Sequence, residues 1–135
     1  MIFVQVKDKS LTKWIPPIEV DKVYDIDNIQ WDKGGIILHL SPDDIKRENR
    51  SSNHLSVHWD SVICYQVTYE SFRPDCWIPN PEDAWTFFVS SSSEYLTCAR
   101  TNNPTLPNTL FHFAVIGTNI IVDILAEKYP EINYL

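Results

Sequence analysis

Two alternating runs joined by a glycine turn place the heaviest constraint on this chain. Residues 18–31, IEVDKVYDIDNIQW, put Ile18, Val20, Tyr24 and Ile26 on one side and Glu19, Asp21, Asp25 and Asp27 on the other. A period of two describes a half-buried strand with a carboxylate-rich outer face. WDKGG follows, where Gly34 or Gly35 takes the positive φ that a tight turn needs. GIILHL (35–40) then returns as a second strand. A β-hairpin over about 20–40 is expected.

The remaining segments read mostly as strands and connections. IFVQV (2–6) alternates as a first strand, and Pro16–Pro17 excludes helix and central strand from the stretch after it. SPDDIKRENRSSN (41–53) is polar, a loop opened by a helical turn with Ser41 as cap and Pro42 at its first position. HLSVHWDSVICYQVTYES (54–71) has strand composition throughout. Pro74, Pro79 and Pro81 make FRPDCWIPNPED (72–83) an irregular surface excursion, and WTFFV (85–89) is another strand. Ser91 with Glu94 forms a capping box for a short helix over 92–100. LFHFAVI (110–116) is apolar enough for a central strand. After the turn at Gly117, with Thr118 or Asn119 as N-cap, Ile120, Ile121, Ile124 and Leu125 define the apolar face of a C-terminal helix. Asp123, Glu127 and Lys128 face water there, Pro130 stops the helix, and EINYL is extended. The expected fold is a single α+β domain over 1–135. It has a mainly antiparallel sheet of five to seven strands, with the C-terminal helix and the short second helix packed on it.

Composition limits function. A chain of 135 residues is one domain by length. Eleven basic against eighteen acidic residues give a net charge of −7, which repels a phosphate backbone and argues against nucleic acid. No run approaches the length of a membrane span. MIFVQVKDKS lacks the basic start and long apolar core of a signal peptide. With Cys64, Cys76 and Cys98 irregularly spaced, the expectation is a cytoplasmic protein with free thiols. The three glycines form no phosphate-cradling loop. His54 and His58 share a strand face, but no cysteine pair has zinc spacing. Cys98 and His112 come from neighbouring elements, although His112 between Phe111 and Phe113 reads better as a core-edge histidine bonded to a backbone carbonyl. No catalytic residue, metal ion or cofactor is expected.

Three segments carry a resemblance. WDSVICYQVTYES (59–71), SEYL (93–96) and HFAVIGTNIIVDILAEKYPEI (112–132), together 38 of the 135 residues, resemble a group of small bacterial immunity proteins of the contact-dependent-inhibition and Rhs type. CARTNNPTLPNT (97–108) departs from that pattern, which has a longer helical segment there. The resemblance implies a non-enzymatic α+β protein that neutralises a cognate toxin of nuclease type. Such a toxin is basic, and an acidic binder would select it by charge. The rival readings are a bacterial or phage accessory protein with another protein partner, and a small enzyme. The surfaces left over by the core pattern are the acid side of the 18–31 strand and the proline-rich loop. Asp21, Asp25, Asp27, Trp31, Asp75, Trp77, Glu82 and Asp83 are therefore the expected partner-binding residues.

Overall fold

The computed structural model describes residues 10–43, 53–69 and 84–135. These hold β1 (Thr12–Lys13), β2 (Tyr24–Asp32), β3 (Gly35–Pro42), β4 (Leu55–Trp59), β5 (Cys64–Tyr69), β6 (Phe87–Ser90), α1 (Glu94–Asn102), β7 (Phe111–Ile116), β8 (Ile120–Ala126) and β9 (Glu131–Tyr134). A five-stranded sheet runs in the order β1-β6-β7-β8-β5 and a four-stranded sheet in the order β2-β3-β4-β9. Every pairing is antiparallel. The chain is therefore α+β and dominated by antiparallel sheet, but as two layers with one helix among the described residues.

The layers meet through alternate residues. Tyr24, Ile26, Ile36, Leu38, Leu40, Val57 and Trp59 of the four-stranded sheet pack against Phe87, Phe113, Val115, Val122 and Ile124 of the five-stranded one. Each such side chain contributes about 1.5–3 kcal/mol when taken out of water. The 20–40 hairpin is present. Lys33 (φ 46°) and Gly34 (φ 89°) are its two central residues, and positive φ at both matches the twist of the flanking strands. Gly35 serves a different need: a Cβ there would sit 2.4 Å from the Trp59 carbonyl oxygen and 2.7 Å from that of Asp60.

Three expectations are corrected: the C-terminal helix, the helical turn at Ser41 and the start of the short helix. The C-terminal helix is strand β8. Val122, Ile124 and Ala126 face the core between the sheets, while Ile121, Asp123 and Leu125 are buried on the other side. A strand buried on both faces has no solvent stripe, so its pattern mimics a helix, and its β-branched residues decide the matter. The run 54–71 is two strands in different sheets. The chain crosses between layers at 60–63, held by Val62 N–H to the Gly34 carbonyl (3.0 Å) and Ile63 N–H to that of Leu125 (2.8 Å). Ser41 and Pro42 end β3 and open no helical turn. The short helix forms slightly later than expected, with Ser93 as N-cap. Residues 2–6 and 72–83 lie outside the described residues.

Gly35→Ala should destabilise the protein by about 2 kcal/mol or more, because rigid backbone opposes the new methyl. Lys33→Asn should stabilise by about 0.5–1 kcal/mol, asparagine tolerating the left-handed region better. Urea unfolding midpoints check both, and equal effects of the same sign would refute this account of the turn.

Candidate functional site

The two sheets differ in what covers their outer faces. On the four-stranded sheet the register aligns Asp25 with Ser41, Asn28 with His39, Gln30 with Ile37 and Ile37 with His58. It continues through Ser56 with Asn133 and His58 with Glu131. All but Ile37 are polar, and all are exposed or half-buried. A bulge between Ile26 and Asn28 inserts Asp27, whose carboxylate accepts a bond from the Ser41 hydroxyl at 3.0 Å. The Thr118 hydroxyl donates to the Asp25 carboxylate. Asp43 is held close by its own N–H bond to the Val23 carbonyl (3.0 Å). Partial burial, then the charges of Asp43 and Asp27, push the Asp25 carboxyl above the usual aspartate range.

Asp25 and Asp27 thus come together as the alternation implies, with Asp43 as a third member. Asp21 precedes β2, and its N–H donates to the Tyr24 hydroxyl at 2.9 Å. With Val20, Lys22, Val23 and Asp43 it lines a shallow hollow next to this cluster. Trp31 does not join them. It pairs with core-facing Ile36, past the bulge, and projects at the rim between the sheets. Its indole N–H donates to the Tyr65 hydroxyl at 2.9 Å, and the rings meet edge-on at 5.0 Å. Asp75, Trp77, Glu82 and Asp83 lie outside the described residues.

The outer face of the five-stranded sheet carries α1 and a buried polar trio that the sequence reading missed. His112 Nδ1 lies 2.7 Å from Ser93 Oγ, and His112 Nε2 lies 2.7 Å from Asp123 Oδ1. All three residues are buried. A carboxylate only accepts, so Nε2–H donates to Asp123, and Nδ1 shares a second hydrogen bond with the Ser93 hydroxyl. Ser93 Oγ also accepts the Leu96 N–H at 3.1 Å as the helix N-cap. The trio therefore joins α1 to β7 and β8, above the packing of Leu96 on Leu110 and Leu125. Its serine is spent on the cap and enclosed, so these three side chains act as a helix anchor. The bond expected from His112 to a backbone carbonyl is instead made to side chains. A lone acid inside IIVDILA was the available signal.

Other candidates stay apart. Cys98 is exposed and contacts Asn102, away from His112. Cys64 is half-buried, its sulfur 3.7 Å from the Tyr95 hydroxyl. Among the described residues no three of His, Cys, Asp and Glu converge to hold a metal ion, and no helix is long and apolar enough to cross a membrane. No family model matches the chain, and no curated protein or solved structure matches it.

Ser93→Ala should cost about 1–2 kcal/mol as a lost cap. His112→Ala should cost about 3–5 kcal/mol, since it removes a buried hydrogen-bond partner of the Asp123 carboxylate and opens a void. The double variant should lose less than the sum, because the residues form one network; strict additivity in urea unfolding would count against the anchor. Asp25→Asn should have the opposite sign. A raised carboxyl favours folding only while protonated, and that contribution is lost as pH rises through its folded-state value. The variant should therefore be more stable than the parent at pH 7, by less than about 1 kcal/mol. The advantage should vanish in acid, where the parent's carboxyl is protonated in both states, and an advantage that persists there would contradict this cause.

Proposed function

We propose that this chain is a cytoplasmic immunity protein that binds and neutralises a cognate protein toxin with a basic surface. One observation carries the reading: Asp25, Asp27 and Asp43 are gathered on a sheet face that no helix covers among the described residues, where partial burial and mutual repulsion disfavour the Asp25 charge. Solubility alone does not require acids to be placed against one another. A cationic partner would relieve that repulsion, and close charge pairs across an interface contribute a few kcal/mol each. The net charge of −7 would speed encounter with a basic domain. Both polar alternation across the sheet and the resemblance of the 59–71, 93–96 and 112–132 segments agree with a protein-binding role.

The test is to look immediately upstream of the gene for an encoded toxin domain and, where one is found, to pair the chain with it. Co-expression should protect cells from that domain, and titration should give a complex that weakens with salt. Reversal of Asp25 and Asp27 to lysine should lower affinity at least about tenfold at low salt while the fold persists. A folded reversal variant that binds equally at low and high salt would remove this surface from the interface. Absence of both protection and complex would end the immunity reading.

A further inference from the structure

Acidic charge gathers in a second place, away from Asp25. A hollow of about 240 Å³ lies where the β4–β5 crossing meets the connection from β8 to β9. Trp59, in its wall, pairs with Ile36 near the start of β3, whereas Asp25 pairs with Ser41 near the end of that strand. The two acidic regions therefore sit at opposite ends of the four-stranded sheet. Main-chain bonds fix both sides of the hollow. His58 pairs with Glu131 across β4 and β9, and Ile63 N–H reaches the Leu125 carbonyl at 2.8 Å.

The walls suit a flat organic cation. Asp60, Glu127 and Glu131 line the hollow with Lys128, and among the described residues no lysine or arginine pairs with any of the three acids. Two of these carboxylates are oriented through one oxygen each. Glu127 Oε2 accepts the Thr109 hydroxyl at 2.7 Å, and Glu131 Oε1 accepts from Asn133 Nδ2 at 3.3 Å. Tyr129 is held by ring contacts with Trp14, Phe111 and Phe113, yet stays 49% exposed beside the acids. A ring face next to carboxylates attracts a guanidinium by stacking and by charge. Trp59 adds an independent demand: it is 2% exposed, and its buried indole N–H has no acceptor. Such a donor requires an acceptor, and a peptide carries one in its main chain.

We propose that this hollow seats an arginine of the basic partner, its guanidinium meeting these carboxylates and the Tyr129 ring, with an adjoining peptide carbonyl answering the Trp59 N–H. Arginine fits better than lysine, because its planar fork can meet two carboxylates while its face stacks on a ring. The proposal rests on the immunity reading only for which protein supplies the arginine.

N-acetyl-arginine N-methylamide carries the guanidinium and two carbonyls, and an NMR titration of the full chain with it tests the site without a toxin. Binding in the millimolar range should move the amide signals of 58–61 and 127–131. It should also move the Trp59 indole N–H signal, which Trp59→Phe identifies by its loss. The uncharged N-acetyl-norleucine N-methylamide should move none of them. Asp60→Asn combined with Glu127→Gln should weaken binding about tenfold or more in a chain whose circular dichroism is unchanged. Shifts scattered over acidic residues generally, an unmoved Trp59 indole signal, or equal binding of the uncharged compound would overturn the proposal and leave the immunity reading standing. In a complex with the upstream toxin domain, the double variant should also weaken affinity about tenfold at low salt. Undiminished affinity there would overturn the proposal as well. Probe bound in the hollow, with no toxin complex formed, would end the immunity reading and leave the arginine site standing.

Discussion

A histidine and an aspartate inside an apolar layer tolerate burial only when each answers the other's hydrogen-bonding demand. His112 and Asp123 do this across β7 and β8, and Ser93 extends the bond into the N-terminus of α1. Much follows from that one connection. It fixes which side of the five-stranded sheet the helix covers, and so makes β8 a strand buried on both faces. It leaves the four-stranded sheet as the layer whose outer face the helix does not cover. Hydrophobic packing of Leu96 on Leu110 and Leu125 would hold a helix there with little preference for its exact position. The directional bonds to His112 supply that preference.

A second set of polar contacts ties the layers together at their rims. Asn119 presents a carboxamide to β2 as if it were a peptide unit, and Thr118 N–H bonds the Tyr24 carbonyl at 3.0 Å. The β7–β8 turn of one sheet thereby closes the edge of the other. Trp31 with Tyr65 joins the same two edges further along. These contacts couple the site to the fold. Asp25 sits between the bulge and the turn, and its carboxylate is the point where the closing contact from Thr118 meets the charge of Asp27 and Asp43.

Local chemistry decided what the sequence could disclose. The 20–40 hairpin was legible because alternation and a glycine pair act within a few residues, and both are needed for the same turn. α1 was legible from serine caps, with the start displaced because Ser93, and not Ser91, has the buried partner. β8 was not legible. Asp123 reads as a solvent marker only if its partner is unknown, and that partner lies eleven residues away in sequence on another strand. The break at 60–63 was equally hidden, since strand composition continues through it and only the layered arrangement demands a crossing. Alternation placed Asp25 and Asp27 together on one side of β2, as the structure has them. It erred on Trp31, because a one-residue bulge at Asp27 carries every later side chain of β2 to the other face.

That bulge also links the protection of an edge to the placement of charge. Without Asp27 the strand would run flat, and its edge would invite non-specific pairing; with it, the twist increases and an acid is added on the outer face. The same residue defends one edge and raises the charge density beside Asp25. The β2 edge is thus closed twice over: the bulge breaks its regular ladder, and the Asn119 carboxamide takes the outward N–H and C=O of Ile26. Both devices lie within three residues of Asp25, so the segment that positions the acids is also the one whose backbone is held most firmly against the neighbouring sheet.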